Sequence, residues 1–240
     1  MKANTSSSNI ELLTSLPLFL GMTRADIAEL TTAFTLGIHR CAEKEVVAEE
    51  GQPCTRLTIV ADGAMWVCSR PDDGRYSVEE ALQAPYIIQP EHLFGHSTRH
   101  TRTFTAHEGC LLLSIDKNDV MQMCARYQVF HINLLNAICA QAQRFAHTPW
   151  HHTPAATRPR IIRFILNHCL THTGSKRINI RMEQLAHELN ESRRAVSDEL
   201  HLMHNEQLIV LKRETILVEH LEKLLRLHSL NALIISTVSP

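Results

Sequence analysis

The chain has 240 residues, 44% hydrophobic and 20% charged, which is enough to bury the core of one or two domains. That composition excludes a disordered tail and a collagen-like fibre. The 24 Lys and Arg nearly balance the 25 Asp and Glu, yet residues 151–240 hold twelve basic against nine acidic side chains, a net of +3 that leaves −4 for residues 1–150.

No apolar run reaches the ~18–20 residues needed to span a bilayer, because Pro, Gly or charge interrupts residues 15–22, 57–67 and 230–235; no membrane partner is expected. Residues 1–9 are polar and Ser-rich and lack a basic segment leading into an apolar one, so a cytoplasmic location is predicted. Residues 10–13 and 24–34 read as short helices, the second capped by Thr23. Seven of the eight glycines precede residue 110, and over residues 36–116 β-branched and apolar residues partly alternate. Asp62-Gly63 and Pro71-Asp72-Asp73-Gly74 fall where hairpins would reverse, which suggests a small antiparallel barrel.

From about residue 117 to 145 the pattern becomes a helix free of Gly and Pro, with Met123, Tyr127, Phe130, Leu134 and Ala137 spaced alternately by four and three. That seam favours a helix pair across a homodimer; the alternative, a face packed on its own barrel, stays open. His147-Thr148-Pro149-Trp150-His151-His152-Thr153-Pro154 and Thr157-Arg158-Pro159 then mark a hinge. Beyond it residues 160–171 read as a helix, 176–180 as a strand, and 182–189 and 192–204 as two helices joined by a tight turn. Asn190 suits a left-handed helix end and Ser192 an N-cap. A hairpin of residues 208–211 and 215–218, with Lys212 and Arg213 at its tip, completes a winged helix-turn-helix pattern.

The expected architecture is therefore α+β. A sensor domain occupies residues 1–116, a dimerisation helix 117–146, a hinge 147–159, a DNA-binding domain 160–228 and a tail 229–240. The seven cysteines are scattered and form no C-x-x-C, which argues against a disulfide framework and a zinc knuckle. No G-x-S-x-G, Walker loop, H-E-x-x-H or dinucleotide glycine motif is present, so no enzyme is expected. The 16 histidines, crowded at His147, His151 and His152 and again at His92, His96, His100 and His107, lack ligand spacing and read as solvated or capping; no metal site is expected.

The order barrel, long helix, hinge and winged helix-turn-helix resembles the cyclic-AMP receptor / fumarate-nitrate regulator (CRP/FNR) superfamily of bacterial transcription factors. The resemblance runs over about residues 9–227 and is most specific at Leu93-Phe94-Gly95 and at Leu185-Ala186-His187-Glu188-Leu189-Asn190-Glu191-Ser192-Arg193-Arg194-Ala195-Val196-Ser197. It implies a jelly-roll barrel of the cyclic-nucleotide-binding kind and a homodimer on a palindromic site in double-stranded DNA, in contact with RNA polymerase. Each protomer would place one recognition helix in a major groove.

In the family's cyclic-nucleotide binders a Gly-Glu pair before the Leu-Phe contacts the ribose, and an Arg-Ser or Arg-Thr pair after it grips the phosphate. Here Gln89-Pro90 and His100-Thr101 stand at those places. The charge-assisted contacts are thereby lost, and Pro90 removes a backbone donor. Glu91, Arg99 and Arg102 are close enough in sequence to substitute. Cyclic AMP is not the expected effector, and with Cys41 as the first cysteine neither is an iron–sulfur cluster. Haem, or another small ligand, stays open, as does a ligand-binding module without DNA output.

The expected DNA-contacting residues are Ser192, Arg193, Arg194, Ser197, Asp198 and His201 on the recognition helix, with Lys176, Lys212 and Arg213 on phosphates. Arg193 holds the family's motif position and can reach a phosphate or a guanine edge. Arg194 and Asp198 invert the charges of the best-known members, which implies a different site; an Arg194–Asp198 ion pair is the alternative.

Overall fold

A computed structural model describes residues 3–146 and 154–226. Residue contacts divide the chain into two units: Met1–Met65 with Gln83–Pro149, and Trp66–Leu82 with Trp150–Pro240.

The first unit begins with α1 (Ala3–Ser15), a single 3-10 turn (Pro17–Phe19) and α2 (Arg24–Ala33). Thr23 caps α2 as expected, in a reciprocal box: its hydroxyl accepts the Asp26 N–H at 3.1 Å, while the Asp26 carboxylate accepts from the Thr23 backbone. The strands are β1 (Gly37–Cys41), β2 (Val46–Ala48), β3 (Arg56–Asp62), β4 (Ala64–Ser69), β5 (Ser77–Gln83), β6 (Tyr86–Ile88), β7 (Thr103–Ala106) and β8 (Cys110–Asp116). In the first unit β1, β8, β3 and β6 form one antiparallel sheet in that order, and β2 pairs with β7. Gly63 turns β3 into β4 at φ +88°, and a Cβ there would meet Cys110 at 3.0 Å, so glycine is required on both counts.

The expected single helix is two, α3 (Lys117–Arg126) and α4 (Gln128–Ala146), separated by extended Tyr127 at φ −119°, ψ 98°. Neither Pro nor Gly marks that break in the sequence. Met123, Tyr127, Phe130 and Leu134 are buried with Leu13, Leu16, Phe19, Leu57, Leu113 and Ile115, and Ala137 packs against the same cluster. The proposed dimer seam is thus corrected: it is the unit's own core. The tilted rings of Phe19 and Phe130 pack with centroids 5.5 Å apart, and Asn133 Nδ2 donates to the carbonyls of Leu18 and Leu20 at 3.1 and 2.9 Å. Removing Phe130 to Ala would cost about 3–5 kcal/mol. Among the described residues, the large apolar side chains of α4 left exposed are Val129, Ile132 and Leu135. No described helix is long and apolar enough to cross a membrane.

The second unit contains α5 (Thr157–His168), β9 (Lys176–Asn179), α6 (Met182–Leu189), α7 (Arg193–Asn205), β10 (Val210–Lys212) and β11 (Thr215–Val218). α5 begins three residues earlier than expected, so the hinge does not run to 159; Pro159 sits in its first turn, where a missing N–H costs nothing. Hinge residues 147–153, with His147, His151 and His152, and the tail 229–240 lie outside the described residues.

The β4–β5 hairpin departs most from expectation. Assigned by sequence to the sensor barrel, residues 66–82 group with the second unit, where β5 extends the sheet β10-β11-β9. β5 pairs antiparallel with β9 from Ser77 opposite Asn179 to Glu80 opposite Lys176. Tyr76 and Val78 enter a core with Ile161, Ile165, Ile178, Leu185, Val196, Leu200 and Val218. His168 Nδ1 bonds the Phe164 carbonyl at 2.6 Å, which makes it the protonated nitrogen and leaves Nε2 to accept from the Tyr76 hydroxyl at 2.9 Å.

Candidate nucleic-acid interface and sensor pocket

The α6–α7 turn has the local chemistry the sequence foretold. Asn190 ends α6 at φ 51°, ψ 49°, and the Glu191 N–H returns to the Ala186 carbonyl at 3.0 Å. The Ser192 hydroxyl caps α7 by accepting from the Ala195 N–H at 3.1 Å. Two arginines of α5 hold these elements: Arg160 braces the turn, and Arg158 braces the C-terminal half of α7. Arg160 donates to the Leu189 carbonyl at 3.3 Å and pairs with Glu191 at 3.1 Å; Arg158 forks onto Glu206 with two 2.8 Å bonds and also reaches Glu199. That fork holds the Glu206 carboxyl below the usual range.

On the opposite side of α7, Ser192, Arg193, Arg194, Asp198 and His201 are exposed and Ser197 is half-buried. Arg193 pairs with Glu183 at 3.1 Å and Arg194 with Asp198 at 3.7 Å. The ion-pair alternative for Arg194 is therefore present, though pairs this exposed are worth under about 1 kcal/mol and yield readily to a competing phosphate. Between α6, α7 and the β10–β11 hairpin lies a groove of about 390 Å³. It is lined by Arg181, Arg193, His201 and Lys212, with Glu183 and Glu214 interspersed. Arg181, which sequence reasoning missed, joins the cationic rim from the N-cap of α6 and pairs with Glu214 at 3.7 Å. Its signal was its place at the strand-to-helix junction. Lys212 and Arg213 are exposed at the hairpin tip.

Lys176 is corrected. It is 0% exposed, and its Nζ donates to Glu80 Oε2 at 2.8 Å and to the Thr171 hydroxyl at 2.7 Å. Glu80, 1% exposed, also accepts from the Leu170 and Thr171 N–H groups at 2.6 and 3.1 Å. A lysine so enclosed cannot reach a DNA phosphate. The net charge of residues 151–240 includes Lys176, Arg158 and Arg160, and all three are paired with carboxylates of the same unit.

In the first unit Gln89, 1% exposed and left-handed at φ 38°, precedes a 3-10 turn of Pro90–His92. Its Nε2 donates to the Thr101 hydroxyl at 2.6 Å. Its Oε1 receives the Thr101 N–H at 3.3 Å and lies 3.1 Å from His100 Nδ1. The Thr101 hydroxyl, already an acceptor from Gln89, can donate a hydrogen bond to His92 Nε2 at 3.4 Å. Burial, and then His92, hold the His100 pKa below the ordinary histidine value. The structure thus brings Gln89, His100 and Thr101 together with His92. Arg99 is directed elsewhere, donating to the Gly51 carbonyl at 2.6 Å. Glu91 keeps one buried carboxylate oxygen without a hydrogen-bond partner, and Arg102 is half-buried.

Residues 38–127 match the family model of the cyclic nucleotide-binding domain. The match covers 90 of the 240 residues, all of them ahead of α4. No curated protein matches the chain. Among solved structures, the catabolite activator protein of Thermus thermophilus is 18% identical, with 87% of this chain and 96% of that one covered and a TM-score of 0.45. The regulator CLP of Xanthomonas campestris, described as c-di-GMP responsive, is 15% identical over 81% and 99%, with a TM-score of 0.45. FixK2 of Bradyrhizobium japonicum is 14% identical over 80% and 96%, with a TM-score of 0.42. Within the matched stretch, at the positions that resemblance assigned to ribose and phosphate, Gln89, His100 and Thr101 bond to one another.

Proposed function

We propose that the chain is a homodimeric transcription regulator of the CRP/FNR superfamily, whose winged helix-turn-helix reads double-stranded DNA and whose cyclic nucleotide-binding domain answers to an effector other than cyclic AMP. The observation that carries it is the exposed first turn of α7, with Arg193 and Arg194, beside the basic tip of the β10–β11 hairpin. In this reading Arg193 contacts a guanine or a phosphate, Ser192, Ser197, Asp198 and His201 face base edges, and Arg181, Lys212 and Arg213 meet phosphates. Val129, Ile132 and Leu135, at 38%, 48% and 47% exposure, supply the dimer face in place of the buried seam. The absence of a carboxylate and guanidinium pair at Gln89-Pro90 and His100-Thr101 supports the exclusion of cyclic AMP.

Site selection from random DNA without added ligand, at moderate stated salt, tests the reading. The expected product is an inverted repeat with half-sites about one helical turn apart, bound with an affinity that falls steeply with salt. Salt-independent binding, or no enrichment with or without small effectors, overturns it. Calorimetric titration with cyclic AMP is expected to show no micromolar binding.

A further inference from the structure

Strand β1 ends in a cluster that neither DNA binding nor the sensor pocket uses. His39 and Cys41 are two residues apart and so share one face of the strand. The turn after them, with Lys44 at φ 65°, brings Glu45 back beneath that face, where Glu45 Oε2 accepts the Ala42 N–H at 2.9 Å. One ligand atom from each of His39, Cys41 and Glu45 lies within 4.8 Å of the others. Cys41 is buried and stands opposite Cys110 in the β1–β8 ladder, and Cys110 Sγ is 3.8 Å from Met65 Sδ.

We propose that His39, Cys41 and Glu45, with Cys110 as fourth ligand, bind a thiophilic divalent cation of the zinc class. The donor set decides the class: imidazole nitrogen, sulfur and one carboxylate suit zinc and its relatives, whereas calcium and magnesium take oxygen. Four cysteines, as an iron–sulfur cluster requires, are not gathered here. Tetrahedral zinc holds its ligand atoms roughly 3.3–3.6 Å apart, given bonds of about 2.0–2.3 Å. The present spread therefore needs a contraction of about 1 Å, which the exposed side chains of His39 and Glu45 reach by rotation. On binding, neutral imidazole coordinates without loss, each ligating thiol releases its proton to solvent as the metal–sulfur bond forms, and nothing is oxidised or reduced. Glu45 keeps the Ala42 N–H on one oxygen and ligates with the other. The cation would cross-link the β1–β2 turn to the β1–β8 ladder.

The test is a titration of reduced, chelator-treated protein with Co²⁺, followed by displacement with Zn²⁺. One equivalent per chain is expected, with a sulfur-to-cobalt charge-transfer band and tetrahedral visible bands. His39→Ala and Glu45→Gln, both at exposed positions and checked for native circular dichroism, are expected to weaken binding at least ~10-fold; Cys41→Ser removes the charge-transfer band. His151→Ala with His152→Ala leaves the signal intact. The proposal is overturned if Co²⁺ binds without the sulfur band, or if His39→Ala and Glu45→Gln retain full affinity. An unchanged band in Cys110→Ser overturns the part given to Cys110. None of these outcomes bears on DNA recognition.

Discussion

Gln89, His100 and Thr101 in the first unit bond to one another around a buried amide, whereas along α7 and the β10–β11 hairpin the charged side chains stand in solvent with loose partners. The contrast separates two uses of polarity. A closed network fixes conformation, and any ligand entering it must replace hydrogen bonds already made. An open set costs little to re-partner, so it is free to meet an anionic surface. The second unit holds both kinds, since Lys176 is enclosed while Lys212 is exposed at the hairpin tip.

Breaking the most enclosed pair should have the largest effect. Glu80→Ala leaves a buried ammonium with only Thr171 Oγ1 beside it, an expected loss of about 3–5 kcal/mol in urea unfolding. Glu80→Leu combined with Lys176→Met restores stability to near wild type if burial rather than the charge itself is what the site needs. A double variant as unstable as the single one would show instead that the bonds to Leu170 and Thr171 dominate. Among the open charges, Arg193→Ala is expected to lower specific DNA affinity by about 1–3 kcal/mol with little change in melting temperature. Lys212→Ala should reduce the salt slope of binding by about one. The comparison fails if Lys176→Ala alters DNA affinity in a still folded protein as much as Lys212→Ala does.

The closed pocket carries its own signature in pH. His100 has its pKa depressed in the folded chain, so the unfolded chain binds its proton more readily. Stability is therefore complete above the ordinary histidine value near 6.5 and falls as pH drops from there toward the folded value. Melting temperatures between pH 7.5 and 5 should decline less in His100→Asn than in wild type, the difference between the two slopes isolating this residue from the other histidines. Equal slopes would place His100 outside the network.

Local chemistry was legible in the sequence wherever one residue dictates one conformation. Thr23, Asn190 and Ser192 act as the caps their side chains imply, and α6 has the expected bounds. Long-range pairing was not legible. Nothing in residues 66–82 signals that β5 lies against β9 rather than staying with the barrel, because strand partners are chosen by cross-strand packing and by Glu80 meeting Lys176, some 96 positions apart. The apolar seam Met123 to Ala137 was a true pattern with its face assigned to the wrong partner, since periodicity reports that a face is buried but not against what. The His39, Cys41 and Glu45 cluster escaped for the same reason: its spacing matches no linear motif, and the strand and its turn assemble it.

The smallest expected effect separates the two accounts of Arg194. It is 92% exposed and pairs with Asp198 at 3.7 Å, one turn along α7. As a structural pair the two contribute at most about 0.5 kcal/mol to helix stability, with the basic residue on the less favourable, N-terminal side. A double-mutant cycle of Arg194→Ala and Asp198→Ala in thermal unfolding should give a coupling no larger than that. The same cycle in DNA binding tells more. If both residues face base edges, each single change shifts the preferred half-site at a different position; if Asp198 only holds Arg194, then Asp198→Ala strengthens binding to all sequences alike by freeing a cation for phosphate. The open character of this helix face predicts the first result, because a pair so exposed gives up little when DNA separates it.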